Sequence, residues 1–505
     1  MLKQNSKEYR GYRNAGIRLS EEMLPHLGKL YSGRTHIMLP AVHAFDQAHT
    51  IMLVEQGELP REMGVAILKG LRDMESTEGV IEARTRVGGG LHSGEQYLIR
   101  LLGEEVAGRF HVARSSGDLS SVAINTLQRE KLLATMGGIN RLRRVLLKLA
   151  REHTDTILPG YSFGQHAQPM TLAHLYLSWI ATLARDFDRH AGAYRRVNTS
   201  PAGAAIMVGS DFRIDRKRTA ELLGFDAVHE NCADAILELN ADDSIETPMV
   251  VATLYHSMAK WADDLIAWST SEFNFVDVPD RYCNTSSIMM QKKNVIGPAE
   301  VKGASAEALG CIVTSYHALK GTTGAPVTER YYALELLWRV SDNSVRHLDW
   351  FCELLPELRV NKEHMREQAW MHWATTTDLA SALVRKKDMP WRTAHQIVGI
   401  LVRLCESRGK TPADVTPAML DEAAVAYHEI PAGLTQDEID LALNPGNFIA
   451  NRTLQGGPAP GESLRQAGLF EQLLAKDEEH VSGIEARLAS ARRKLREAGD
   501  ALIGG

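Results

Sequence analysis

The stretch Asn284-Thr285-Ser286-Ser287-Ile288-Met289-Met290-Gln291-Lys292-Lys293-Asn294-Val295 decides how the rest of the chain is read. Adjacent hydroxyls, adjacent ammonium groups and side-chain amides fall together, with no opposite charge among them. That composition builds a poor core element and a good anion holder. Ahead of it lies Phe273-Asn274-Phe275-Val276-Asp277-Val278-Pro279-Asp280, irregular and turn-prone, and behind it Gly297-Pro298-Ala299-Glu300. A proline in the first turn opens a helix. The cluster therefore reads as a loop feeding a helix whose free N–H groups add to the anion site.

Working outward, 505 residues exceed one ordinary domain and predict two or three regions sharing a large core. The composition, 44% hydrophobic and 24% charged, is that of a globular chain. A net charge of −6 leaves no basic face, which argues against nucleic acid as a partner. No apolar run reaches the roughly 18 residues of a membrane span. Met1-Leu2-Lys3-Gln4-Asn5-Ser6-Lys7-Glu8 lacks the apolar core of a secretory signal, so the expected location is the cytoplasm. Cys232, Cys283, Cys311, Cys352 and Cys405 stand singly, so neither disulfides nor a structural zinc site is expected.

The predicted fold class is mostly α, in three regions: 1–119, 120–365 and 366–505. Within the central region Leu132, Met136, Ile139, Leu142, Leu146 and Leu149 step by three and four, as do Leu172, Tyr176, Trp179, Leu183 and Phe187. Such long stripes predict a helical bundle. The segment Glu307 to Leu319 is apolar on more than one face, which places it inside a large core or a subunit interface. In the last region, Leu379 to Val384 and Ala394 to Val398 flank Asp388-Met389-Pro390 as a helical hairpin, and Glu462 to Leu502 reads as a solvated closing helix. Val87-Gly88-Gly89-Gly90 has no Gly-Lys-Ser/Thr after it and reads as a bend, without a nucleotide site.

Ser286-Ser287-Ile288-Met289-x-Gln291-Lys292-Lys293-Asn294 resembles the signature loop of the fumarase/aspartase superfamily, and its Gln-Lys-Lys-Asn form is most similar to argininosuccinate lyase and δ-crystallin. Trp268-Ser-Thr-Ser-Glu272-Phe273, Ala374-Thr-Thr-Thr-Asp378-Leu379-Ala380 and Gly456-Gly457-Pro-Ala-Pro460 extend the resemblance along the chain. It implies a mostly helical subunit whose central helices assemble as a homotetramer, with each active site shared between subunits. It implies that Ser286 takes a proton from the carbon beside a substrate carboxylate. Lys292 and Asn294 would hold that carboxylate, with Ser287 beside them in the substrate-binding set. Thr285 replaces a family Gly, and Met290 and Val295 replace family Pro residues, changes that bear on loop closure.

Two further constellations match the family in part. In His111-Val-Ala-Arg114-Ser115-Ser116-Gly117-Asp118-Leu119, the family has Ser-Arg-Asn-Asp at 115 to 118, where its Arg and Asn grip the substrate; here Ser116 and Gly117 stand there instead. Ser115 and Ser116 are thus substrate-binding candidates, while Ser115 and Asp118 also read as a helix cap. In Gly160-Tyr161-Ser162-Phe163-Gly164-Gln165-His166-Ala167-Gln168 the family carries Gly-Tyr-Thr-His, so Ser162 keeps a carboxylate-binding hydroxyl while Phe163 removes the proton-transferring imidazole. His166 is the replacement candidate because its pKa suits the role, although a lone His in a polar loop also serves as a hydrogen-bonding spacer. Gln168 keeps a substrate-binding position. His92, before Ser93-Gly94-Glu95, resembles the family's Ile-His-x-x-x-Glu one residue short. Past Lys320-Gly321, Pro326-Val327-Thr328-Glu329, Tyr331 and Leu334 replace the groups that bind the amino-acid half of the family substrate.

The implied reaction is β-elimination of an amine from an N-substituted aspartate with release of fumarate. No metal or organic cofactor is needed, because the carboxylate itself accepts the electron pair. The altered amine-handling residues imply an amine half other than arginine. Two alternatives stay open: elimination or cycloisomerisation on another carboxylate, and a structural homologue that has lost catalysis.

Overall fold

The computed structural model describes residues 36–77, 79–324 and 329–505, without the side chains of 238–241. The N-terminal residues read for targeting, and Pro326, Val327 and Thr328, lie outside the described residues.

The fold is built around six helices. They are α1 (Leu39–Glu55), α2 (Ser116–Glu152), α3 (Leu172–Val197), α4 (Leu239–Trp268), α5 (Gly297–Ala318) and α6 (Arg330–Leu354). A seventh, α7 (Pro460–Gly504), closes the chain. At about 1.5 Å per residue the 37 residues of α2 span roughly 55 Å. Both apolar stripes read in the sequence are buried: Leu132, Met136, Ile139, Leu142, Leu146 and Leu149 on α2, and Leu172, Tyr176, Trp179, Leu183 and Phe187 on α3. Burying side chains of this kind contributes about 1.5–3 kcal/mol each, which is what holds helices of this length together. Trp179 stacks on Trp261 of α4 at 4.8 Å between centroids, joining those two helices.

Ion pairs set the directions of the neighbours. Lys131 meets Asp342 at 2.6 Å and Arg141 meets Asp349 at 2.7 Å, so α6 runs parallel to α2. Along α7 the order reverses: Arg151 meets Glu471, Arg143 meets Asp477 and Arg492 meets Glu130. The terminal helix is therefore antiparallel to α2, with Leu474, Val481, Ile484, Leu488 and Leu495 buried against the bundle. Its solvated character is confined to the opposite face.

Two smaller cores flank the bundle. One gathers Leu53, Ile67, Leu71, Leu98 and Phe110 in the N-terminal region. The other gathers Leu379, Leu383, Ile397, Leu401, Leu420 and Leu443, built on the helical hairpin Thr376–Lys387 and Trp391–Ser407. Asp388, in the left-handed conformation at φ 51°, makes that turn.

One feature departs from the sequence reading, and a second narrows it. Residues read as a loop form an antiparallel hairpin, β1 (Ile157–Ser162) and β2 (Gln165–Thr171), with Tyr161 opposite His166 and Ser162 opposite Gln165. Phe163 and Gly164 both have positive φ, 54° and 72°, the geometry of a two-residue hairpin turn. Gly160 sits at the bulge, where a Cβ would lie 2.5 Å from the Gln168 carbonyl oxygen. Secondly, α5 is not enclosed within one chain: Ala308 and Cys311 are buried, while Leu309, Val313 and Tyr316 are more than half exposed along one stripe. Among the described residues no helix is long and apolar enough to cross a membrane.

Candidate active site

The signature segment forms a second hairpin, β3 (Cys283–Thr285) with β4 (Lys293–Val295), and its tip carries Ser286 to Lys292. Asn284 lies opposite Asn294, and the Asn294 amide donates to the Asn284 side-chain oxygen at 3.0 Å. At the tip, Ser286 Oγ accepts from the backbone amides of Ile288 and Met289 at 3.3 and 3.1 Å. Two N–H donors aimed at one oxygen favour negative charge on it. Ser287 and Lys292 are exposed beside it, and Ile288 and Met290 project outward at 81% and 91% exposure.

The two lysines divide. Lys293 Nζ is held by Asp277 at 2.7 Å and Asp280 at 3.0 Å, and hydrogen bonding to these carboxylates raises its pKa. Lys292 makes no ion pair among the described residues. So the two ammonium groups do not act as one pair: Lys293 is taken up by carboxylates and anchors the hairpin to the turn-prone segment before it.

The second constellation sits at the start of α2. Ser115 and Asp118 make a reciprocal capping box: Ser115 Oγ accepts from Gly117 N–H at 3.2 Å, and Asp118 accepts from Ser115 N–H at 2.8 Å. The cap reading of these two residues is thus realised. Asp118 is fully buried, and burial pushes its carboxyl up to about 7. Ser116 Oγ lies 2.9 Å from His92 Nε2, and His92 and His111 flank Glu95 at 3.5 and 4.0 Å. Burial and the Arg114 guanidinium bring His111 down to about 4. His92, Glu95 and His111 form the one cluster among the described residues whose ligand atoms are close enough to hold a metal ion, within 4.8 Å of one another. Behind them Arg114 and Arg84 both bind Asp46, at 2.6 and 2.5 Å.

The third constellation is the β1–β2 hairpin. His166 packs on His372 at 4.4 Å between centroids, and the Tyr161 hydroxyl lies 3.4 Å from its Nε2. Burial and the neighbouring His372 lower the His166 pKa. Gln168 Nε2 donates to Thr377 Oγ1 at 3.3 Å, Ser162 is exposed, and Phe163 points fully into solvent at the tip. Tyr161, His372 and Thr377 were not candidates from the sequence; His372 and Thr377 are some two hundred positions from their partners, with no local signal to link them.

One chain brings some of these pieces together and keeps others apart. The β1–β2 hairpin follows the C-terminal end of α2, whereas Ser115 and Ser116 begin that helix, roughly 55 Å away. Asp277, which anchors the signature hairpin, belongs to a short strand paired with Arg359–Val360 just beyond the end of α6. Because α6 is parallel to α2, the signature hairpin lies at the β1–β2 end, where Tyr161 packs on Phe273 at 5.9 Å. His166 and Gln168 thus share an end with Ser286, Ser287, Lys292 and Asn294; Ser115 and Ser116 do not.

Comparison with known proteins agrees with this architecture. A family model described as lyase matches residues 34–310, and one described as argininosuccinate lyase C-terminal matches residues 373–450. The argininosuccinate lyase of Methanosarcina acetivorans is 36% identical over 95% of this chain and 96% of its own length. That of Methanocaldococcus jannaschii is 35% identical over 86% and 88%. The crystal structure of EDDS lyase in complex with formate superposes with a TM-score of 0.85 at 29% identity, covering 93% of each chain. A fumarate lyase from Mesorhizobium sp. BNC1, at TM-score 0.70 and 18% identity over 88% of this chain and 97% of its own, shares the fold. With the signature hairpin, the capped α2 and these matches in hand, the chain belongs to the argininosuccinate lyase branch of the fumarase/aspartase superfamily of lyases.

Proposed function

We propose that the chain is a carbon–nitrogen lyase that eliminates an amine from an N-substituted aspartate with release of fumarate, or runs the reverse addition, without a cofactor. The observation that carries the reading is the Ser286 oxygen, held by the Ile288 and Met289 amides at the tip of a hairpin that also bears Lys292 and Asn294.

A hydroxyl is too weak a base for a carbon acid unless its alkoxide is stabilised, and two amide donors with a nearby ammonium supply that in a closed, dry site. Ser286 then removes the proton beside the substrate carboxylate. The electron pair moves onto that carboxylate, where Lys292, Asn294 and Ser287 meet the developing charge. Collapse of this pair into a double bond expels the amine, which His166 protonates. Ser162 and Gln168 bind on the same side.

Ser115 and Ser116 enter from another copy. A helix of this length, paired antiparallel with its counterpart, brings one chain's N-terminal end to the other's hairpins, and the exposed Leu309, Val313 and Tyr316 stripe offers an apolar face for such assembly. A homotetramer with shared sites is the proposed form, acting on a small dicarboxylate in the cytoplasm.

The test is ultraviolet absorbance of fumarate across a panel of N-substituted aspartates. Turnover of at least one, lost in Ser286→Ala, supports the reading. Silence with every compound counts against it.

A further inference from the structure

In the first turn of α2, Gly117 is closely covered by a neighbouring segment. A Cβ on Gly117 would lie 2.7 Å from Ile206 Cδ1 and 3.1 Å from the Ala205 carbonyl oxygen. The covering segment is firmly placed. Ala204 N–H bonds Pro201 O, Gly209 N–H bonds Ala204 O at 3.0 Å, and Arg216 Nε donates to Ala202 O at 2.8 Å. Its outer face is apolar: Ile206 and Met207 are 43% and 40% exposed, Val208 84% and Phe212 45%.

The carboxylates around this face are largely engaged. Asp118 is buried in the capping box, Glu95 lies between two histidines, Asp46 between two guanidiniums, and Glu58 pairs with Arg213. Asp215 caps the helix Arg216–Leu223. Asp211, exposed beside Phe212, is the remaining acid of the segment. Against the Ile206 side chain itself a guanidinium or ammonium would lose water to a hydrocarbon surface, at a cost that an apolar group does not incur.

Resting on the lyase reading above, we propose that Ile206, seated on Gly117 beside Ser116, forms an apolar wall that selects amine halves bearing an uncharged hydrocarbon group over cationic ones such as a guanidinium. The segment 201–212 is then the specificity element, and the substrate class is an N-alkyl or N-aralkyl aspartate.

The test is calorimetric titration of the full-length Ser286→Ala protein with N-cyclohexyl-aspartate and with argininosuccinate, which reads binding without turnover. The expected result is at least about tenfold tighter binding of the cyclohexyl compound, narrowing below about threefold when Ile206→Ser is added. Equal or tighter binding of argininosuccinate, a preference untouched by Ile206→Ser, or binding of neither compound overturns the inference. A cationic preference abolished by Asp211→Asn would assign the wall to that carboxylate instead, and also overturns it. Wild-type fumarate release, measured separately, reports on the elimination reading: hydrocarbon-selective binding without release would retain this inference and remove that one.

Discussion

Asp46 offers the sharpest energetic test, because one buried carboxylate holds two buried cations. Its oxygens accept from Arg84 at 2.5 Å and Arg114 at 2.6 Å, and all three side chains are 2% exposed or less. Arg114 also lies over the Phe110 ring at 4.4 Å and donates to the Phe110 carbonyl, which fixes the turn leading into the α2 cap. Burial alone would raise the Asp46 pKa; the two guanidiniums reverse this and hold it below the ordinary carboxylate value. Asp46→Asn keeps the shape and removes the charge, leaving two guanidiniums facing each other out of water. Removing one partner of a buried ion pair costs about 3–5 kcal/mol. At about 2 °C per kcal/mol for a large domain, thermal unfolding should fall by at least roughly 6 °C. The triple variant Arg84→Met/Asp46→Leu/Arg114→Met, which removes all the charge together, should lie much nearer wild type. Differential scanning calorimetry of the three proteins decides the matter. An Asp46→Asn protein that unfolds within 1 °C of wild type would refute the reasoning. The sign with pH is also set: a carboxyl with a lowered pKa stabilises fully above its unfolded value, near 3.8, and loses that contribution as pH falls through the folded value.

Three further outcomes are expected. Lys292→Met should lower kcat/KM by about 10²–10³ while Lys293→Met, which loses the Asp277 and Asp280 pairs, stays within about tenfold; steady-state kinetics that reversed this order would contradict the division of the two lysines. Asp243 is buried, and burial together with Glu246 and Asp242 pushes its carboxyl up to about 7. The folded state then keeps a proton that the unfolded state has released, so stability falls as pH rises from about 4 to about 7, and Asp243→Asn should flatten this slope in melting temperatures across the interval. Because burial and His372 keep the His166 pKa under its usual 6.5, the addition direction should accelerate as pH rises through that lowered value. His166→Ala should remove this limb and about 10²–10⁴ of the rate; an unaltered profile would take His166 out of proton transfer.

What the sequence disclosed follows the range of the interactions concerned. The α2 and α3 stripes were legible because helical periodicity is local, and so was the Ser115–Asp118 cap, whose oxygens act within one turn. The β1–β2 hairpin was not, since Phe163-Gly164 lacks the Asn-Gly signal of such turns and the bulge at Gly160 breaks the alternation. Asp277 and Asp280 were in view as turn residues, but their pairing with Lys293 depends on which side of a strand that lysine occupies, and adjacent strand residues face opposite ways. His372 beside His166, and Ile206 on Gly117, are contacts between distant segments that no spacing encodes. The open stripe on α5 was read as lying in a large core or a subunit interface, because sequence pattern cannot distinguish a core face from one that meets another copy.

The claim that everything rests on is proton removal from carbon by the Ser286 oxygen, and the addition reaction in heavy water reads it directly. With fumarate and an accepted amine, wild-type protein should place one deuterium per product at the carbon next to the amine-bearing one, seen by proton magnetic resonance. Ser286→Ala, with unfolding temperature preserved, should form that product at least about 10³-fold more slowly. Deuterated product from Ser286→Ala at within tenfold of the wild-type rate would show that another group handles the proton.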